Sequence, residues 1–137
     1  MRFAKFVVVC LVCMSAVCYA ADPIQNFLEI PIPANLDGSS PNAEEVKTAI
    51  IKGCRARGWT PVVNGANSII ASILVRSKHY AEVEIVFTGK TYSIKYRSSR
   101  DLDYDEKDQT IHRNYNKWVV MLSATIQREF GVRSQGY

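Results

Sequence analysis

Apolar and polar residues alternate from His79 to Arg97, in two runs separated by Gly89-Lys90. A period of two is typical of strands that bury one face, and a two-residue turn joins such strands into a hairpin. In this register one face of the hairpin carries three apolar cross-strand pairs: Phe87–Tyr92, Ile85–Ile94 and Val83–Tyr96. The other face carries two pairs of opposite charge: Glu84–Lys95 and Glu82–Arg97. The pattern therefore predicts a half-buried antiparallel sheet at the centre of the fold.

Two shorter strand patterns precede the hairpin. Ser68–Arg76 alternates in the same way, whereas Trp59–Val63 contains Pro61, which restricts that strand to a sheet edge. Ile70 and Leu74 lie on the outer side of the longer run. Apolar residues in that place indicate that the outer face is partly covered or contacts another molecule.

A first helix is predicted over Ala43–Arg57. Asn42 and Glu45 have the spacing of a capping box, and Gly58 stands where a left-handed C-cap belongs. Its apolar stripe comprises Val46, Ala49, Ile50, Gly53 and Cys54. Basic residues gather toward its end (Lys47, Lys52, Arg55, Arg57), either as a solvated face or as a patch for an anionic partner.

A second helix is predicted over Gln109–Phe130, after a polar, acid-rich connection, Ser98–Thr110. Its apolar residues recur at helical spacing: Ile111, Tyr115, Trp118, Leu122, Ile126 and Phe130. The expected fold class is α+β, a four-stranded antiparallel meander with one helix before and one after the strands, both packed on one face. This single domain spans 42–131, between an extended segment at 21–41 and a flexible tail at 132–137. Within the extended segment, prolines confine Phe27–Pro33 to a sheet edge.

The N-terminal 20 residues have the features of a signal peptide. Arg2 and Lys5 precede an apolar run over Phe6–Val17, and small residues at Cys18 and Ala20 suit signal-peptidase cleavage before Ala21. We therefore expect a periplasmic or secreted protein. No later apolar run approaches the roughly 20 residues of a membrane-spanning helix.

Cysteine usage follows from that cleavage. Cys10, Cys13 and Cys18 are removed with the signal peptide, which leaves Cys54 with no partner for an intramolecular disulfide. Val17 precedes Cys18, whereas a lipoprotein signal has a small residue there, so we do not expect lipid anchoring.

The charge balance excludes one class of partner. The chain has 17 basic and 13 acidic residues, and loss of Arg2 and Lys5 leaves a net charge of about +2. A charge this small and this mixed argues against nucleic-acid binding.

Two stretches partly match known ligand-binding motifs but lack residues that those motifs require. Thr88-Gly89-Lys90-Thr91 resembles the end of a phosphate loop, but Glu84 stands where the first glycine belongs. Asp101, Asp103 and Asp105 resemble the start of a calcium loop that lacks its glycine and its final glutamate. We therefore expect no metal and no cofactor.

His112 and Asn116 lie four residues apart on the flank of the predicted second helix. Either they hydrogen-bond the Ser98–Thr110 connection and hold it in place, or they bind a ligand or partner. Together with Tyr104 and Ser99 they are the candidate ligand- or partner-binding residues, and no catalytic residue is assigned.

A combination of short motifs resembles a widespread family of small exported bacterial proteins, often lipoproteins, of unknown function. The motifs are Arg57-Gly58-Trp59, Ser68-Ile69-Ile70-Ala71, Tyr92-Ser93-Ile94-Lys95-Tyr96, Tyr104-Asp105 and Ile111-His112 with Tyr115-Asn116 and Trp118. The resemblance covers most of the chain after the signal peptide and implies no activity. The absence of a lipoprotein signal is the point at which this chain departs from it.

Two functions are compatible with these residues. The favoured one is a non-catalytic envelope domain that binds an unknown envelope protein or a small ligand. The alternative is a hydrolase-like enzyme that uses His112. The two histidines fall in separate elements and the acids cluster in one loop, which disfavours a convergent catalytic set.

Overall fold

The structure is a computed structural model that describes residues 21–131. The predicted signal peptide and the predicted C-terminal tail lie outside the described residues. Nine elements follow in order: β1 (Ala21–Pro23), β2 (Phe27–Pro31), α1 (Ala43–Ala56), β3 (Thr60–Val63), β4 (Ser68–Val75), β5 (His79–Phe87), β6 (Thr91–Arg100), β7 (Thr110–His112) and α2 (Arg113–Glu129).

The α+β class, the antiparallel pairing and the two helices are confirmed, but the four-stranded meander is wrong. The main sheet has five strands in the order β2-β6-β5-β4-β3, and β1 pairs with β7 in a second, two-stranded sheet. The additional strands β1 and β2 come from the extended segment before α1. The proline-containing strands β2 and β3 occupy the two edges of the main sheet, where a missing N–H costs no ladder hydrogen bond.

The central hairpin keeps the predicted register over most of its length. Phe87–Tyr92, Ile85–Ile94, Val83–Tyr96 and Glu84–Lys95 are opposite one another as predicted. The Glu82–Arg97 pairing is wrong, because β6 carries one extra residue there and Glu82 faces Ser98. The Arg97 Nε atom still lies 2.6 Å from Glu82 Oε1, so the bulge changes the pairing without removing the ion pair.

Helix α1 begins and ends where its capping residues predict. The Asn42 side chain accepts a hydrogen bond from the Glu45 N–H, and the Glu45 carboxylate accepts one from the Asn42 N–H. Gly58 follows the helix with a φ of 76°. Gly53 has a different role, since a Cβ atom there would lie 2.7 Å from Ile126 Cγ1. Glycine at this position allows α1 and α2 to pack at close range.

Helix α2 begins later than the apolar pattern predicts. Thr110–His112 form a strand with Ala21–Pro23, in which Ala21 faces His112, and the helix starts only at Arg113. Ile111 is fully buried, but from a strand and not from the helix stripe. The start of α2 is set by pairing with a segment about 90 residues away in the sequence. The local periodicity of apolar residues carries no information about that pairing, so it predicts a helix that starts too early.

The core lies between the two helices and one face of the main sheet. Val46, Ile50 and Cys54 from α1, together with Leu122 and Ile126 from α2, are completely buried against it. Neither described helix covers the opposite sheet face, where Leu74 is 58% exposed and Ile70 is half-buried.

The turn between β4 and β5 offers a test of local strain. Arg76 and Ser77 have φ values of 54° and 55°, which costs about 1–2 kcal/mol for a residue with a Cβ atom. Ser77→Gly should therefore raise the free energy of unfolding by about 0.5–1 kcal/mol, after the entropic cost of glycine in the unfolded chain. Chemical denaturation measures the gain. Ser77→Ala is the matched control and should give none, so an equal gain in both variants would contradict the strain explanation.

Candidate functional site

Asn116 fastens the N-terminal segment 21–26, here called the arm, to α2. Its Oδ1 atom accepts a hydrogen bond from the Gln25 N–H at 2.9 Å, and its Nδ2 atom donates one to the Pro23 carbonyl at 2.9 Å. The predicted contact of Asn116 with the Ser98–Thr110 connection is therefore wrong. Both ends of the Asn116 amide hold the arm instead.

His112 is the N-cap of α2 and precedes the helix. Its Nδ1 atom accepts a hydrogen bond from the Asn114 N–H at 3.2 Å, and its backbone N–H donates to the Leu102 carbonyl at 2.8 Å. Only the backbone of His112 therefore holds the acidic connection. A role of His112 as a catalytic base stays a prediction.

Ser99 and Tyr104 belong to a tyrosine cluster, formed with Tyr96 and Tyr115. The Tyr96 hydroxyl lies 2.9 Å from Ser99 Oγ, and the Tyr96 ring lies 4.5 Å from the ring of Tyr104 and 5.6 Å from that of Tyr115. The Tyr115 hydroxyl is buried without a hydrogen-bond partner among the described residues, and burial raises its pKa. Tyr96 links the cluster, although its sequence pattern indicated only a core position.

The side of α2 next to the arm carries an open groove of about 410 Å³, the arm groove. It is lined by Asp22, Gln25, Arg113, Asn116, Lys117, Val120 and Met121. Val120 and Met121 are 43% and 44% exposed, so the groove combines accessible apolar surface with two basic side chains and the acidic Asp22.

A second cavity, the tryptophan cleft, lies beside the arm groove and has a volume of about 200 Å³. Its lining comes from the end of α1 and the connection that follows it, from β4 and from α2: Ala56, Arg57, Trp59, Ile73, Trp118 and Met121. Met121 lines both cavities, so they adjoin along α2. Trp118 is half-buried at the cleft, whereas its neighbour Val119 is completely buried in the core.

Cys54 is held as a neutral thiol. It is completely buried on the core face of α1, and that burial raises its pKa to about 12. A thiol in this state is a poor nucleophile near neutral pH, because the thiolate is the reactive form.

Two features are absent from residues 21–131. None of the helices there is long and apolar enough to cross a membrane. No group of three or more His, Cys, Asp or Glu side chains is placed to hold a metal ion. In the acidic connection, the Asp105 side chain instead accepts backbone hydrogen bonds from Lys107 and Asp108.

Comparisons with protein-family models, with curated proteins and with solved structures find no match for this chain. The candidate residues are therefore interpreted from their contacts alone. Ser99 and Tyr104 meet in the tyrosine cluster, Asn116 borders the arm groove, and His112 caps α2. The tryptophan cleft was missed because three separate elements form it. The one relevant sequence feature was the basic cluster that ends in Arg57.

Asn116→Ala is expected to release the arm. Loss of two hydrogen bonds should lower the free energy of unfolding by about 1–3 kcal/mol and speed amide exchange at Ile24 and Gln25. Hydrogen-exchange mass spectrometry and chemical denaturation measure the two effects. Asn114→Ala is the matched control, because Asn114 is exposed in the same helical turn and its side chain bonds no described residue. Equal exchange in the two variants would contradict the fastening role.

Proposed function

We propose that the chain is an exported, non-catalytic binding domain whose ligand site lies on the flank of α2, over the arm groove and the tryptophan cleft. One observation carries this proposal: Met121 joins two adjoining cavities that combine accessible apolar side chains with basic ones. Binding sites characteristically combine an apolar lining with a few placed polar groups. The ligand is a small molecule, because a cleft of about 200 Å³ has room for one ring-sized group.

The dispersal of reactive side chains supports a non-catalytic role. His112 caps α2, the His79 Nδ1 atom contacts the Asp101 carbonyl, and Cys54 is buried as a thiol. A hydrolase that uses a histidine-activated nucleophile needs the nucleophile, the base and an orienting group within hydrogen-bond reach of one another. No specific contact favours the hydrolase alternative.

Export is supported by the N-terminal sequence. The residues Ala21–Pro23 that pair with β7 all follow the predicted cleavage site, so cleavage there keeps this pairing. Mass spectrometry of the native protein should detect a chain that begins at Ala21 and carries no lipid. A mass that corresponds to a diacylated Cys18 would contradict the proposal of a soluble periplasmic or secreted domain.

Binding and catalysis are separated by two assays on the mature protein. Ligand-detected NMR with a library of small acids, bases and neutral compounds should identify binders that shift the Trp118 indole N–H resonance. A panel of ester, peptide and glycoside substrates should show no turnover. Turnover that disappears in His112→Ala would overturn the proposal in favour of the hydrolase, and a library without any binder at the α2 flank would also contradict it.

A further inference from the structure

Two arginine side chains converge on one buried hydroxyl beside the tryptophan cleft. The Arg57 Nε atom donates a hydrogen bond to Thr125 Oγ1 at 2.8 Å, and an Arg128 terminal nitrogen donates to the same oxygen at 2.9 Å. Thr125 is only 5% exposed. The two guanidinium groups are thus held side by side at a fixed point of the structure.

Neither arginine of this pair forms a salt bridge with a carboxylate among residues 21–131. The ion pairs found there join Lys47 to Glu44 and Arg97 to Glu82, and neither involves Arg57 or Arg128. Two like charges a few ångströms apart repel each other, and the C-terminal dipoles of α1 and α2 offset only part of that charge. The terminal nitrogens of Arg57 make no hydrogen bond to the described residues, so their donors are free for another acceptor.

The arginine pair continues the lining of the cleft. Trp118, Met121, Thr125 and Arg128 follow at intervals of three and four residues, which places them on one flank of α2. Arg57 lines the cleft itself and reaches Thr125 from the end of α1. Apolar surface and two guanidinium groups therefore adjoin in one site.

We infer that this site binds a small carboxylate that carries a ring-sized apolar group. The carboxylate lies against Arg57 and Arg128, since the planar fork of a guanidinium matches two carboxylate oxygens. The apolar group enters the cleft between Trp59, Trp118 and Met121. This inference rests on the proposed function and specifies the ligand class of the same α2 flank.

The test uses three probes that separate charge from apolar contact. Phenylpropionate has both features, phenylpropionamide keeps the ring without the charge, and acetate keeps the charge without the ring. Titration of the mature protein, followed by NMR of the Trp118 indole N–H, should give phenylpropionate a Kd of roughly 1 mM, typical of a ligand this small. The amide and acetate should each bind at least about 10-fold more weakly, because a hydrogen bond to a charged group contributes about this factor.

Matched variants locate the binding site. Arg57→Gln and Arg128→Gln should each weaken phenylpropionate binding by about 10-fold or more. Arg57→Lys should recover only part of the loss, because lysine restores the charge but not the fork. Arg55→Gln is the control, since it removes the same charge from the same turn of α1 at an exposed position outside the cleft. It should leave the Kd within about 2-fold, the effect of a screened surface charge.

Two results would overturn the inference. One is amide binding as tight as that of phenylpropionate, which would show that no anion is recognised. The other is an equal loss of affinity in Arg55→Gln and Arg57→Gln, which would show that only net charge matters. If library compounds still shift the Trp118 resonance in either case, the proposed binding function stands and only the ligand class is wrong.

Discussion

Replacement of Trp59 by alanine is expected to lower the free energy of unfolding by about 3–5 kcal/mol, the loss usual for truncation of a buried aromatic side chain. Trp59 is 2% exposed and belongs to the main core cluster. Its backbone N–H also bonds the Cys54 carbonyl at 2.9 Å, so the side chain packs where α1 ends. Against a total stability of roughly 5–15 kcal/mol, this loss would leave the domain marginal.

Trp118→Ala is the matched comparison. The apolar stripe predicted Trp118 to be a core residue, with a loss as large as that now expected at Trp59. Because Trp118 is half-buried at the edge of the cleft, we expect a loss of about 1–2 kcal/mol instead. Chemical denaturation of both variants measures the difference. Equal losses would show that the two tryptophans contribute alike and would contradict this assignment of the core.

Stability is expected to fall by about 2 kcal/mol between pH 9 and pH 11 through Cys54 alone. Burial raises the Cys54 pKa from about 9 in the unfolded chain to about 12 in the folded one. Below pH 9 both states hold the proton and stability does not depend on this group. Above pH 9 the unfolded chain releases the proton while the folded chain retains it, so unfolding is favoured by about 1.4 kcal/mol per pH unit.

Single variants distinguish the contribution of Cys54 to this loss of stability from the contributions of the buried tyrosines. Burial raises the pKa values of Tyr92 and Tyr115 as well, and their contributions to the loss begin near pH 10, the usual tyrosine pKa. Cys54→Ala should therefore move the onset of the fall from about pH 9 to about pH 10. Tyr115→Phe should leave the onset at pH 9 and reduce the slope above pH 10. Urea denaturation across this range is the measurement, and a Cys54→Ala profile identical to that of the unmodified protein would contradict the assignment.

Features that depend on neighbours along the chain could be predicted from the sequence. The alternation across Gly89-Lys90 predicted five pairs of the central hairpin and four are confirmed, since the register beside a two-residue turn follows from the period of the strands. The ends of α1 follow from Asn42, Glu45 and Gly58, because capping acts within one helical turn. The prediction that the proline-containing segments form sheet edges is also confirmed. Its basis is equally local, because proline lacks the backbone N–H that a central strand needs.

Features that join distant segments depend on the tertiary structure. Thr110–His112 became a strand because Ala21–Pro23 pairs with it, and Asn116 holds the arm because that pairing brings Gln25 within reach. Gly53 lay on the predicted stripe of α1, yet its need to be glycine comes from Ile126 on α2. The candidate site is likewise non-local, since Arg57 and Arg128 meet only when α1 and α2 pack together. Helix and strand periodicity record which face of an element is buried, whereas the partner of that face depends on the folded arrangement of the whole chain.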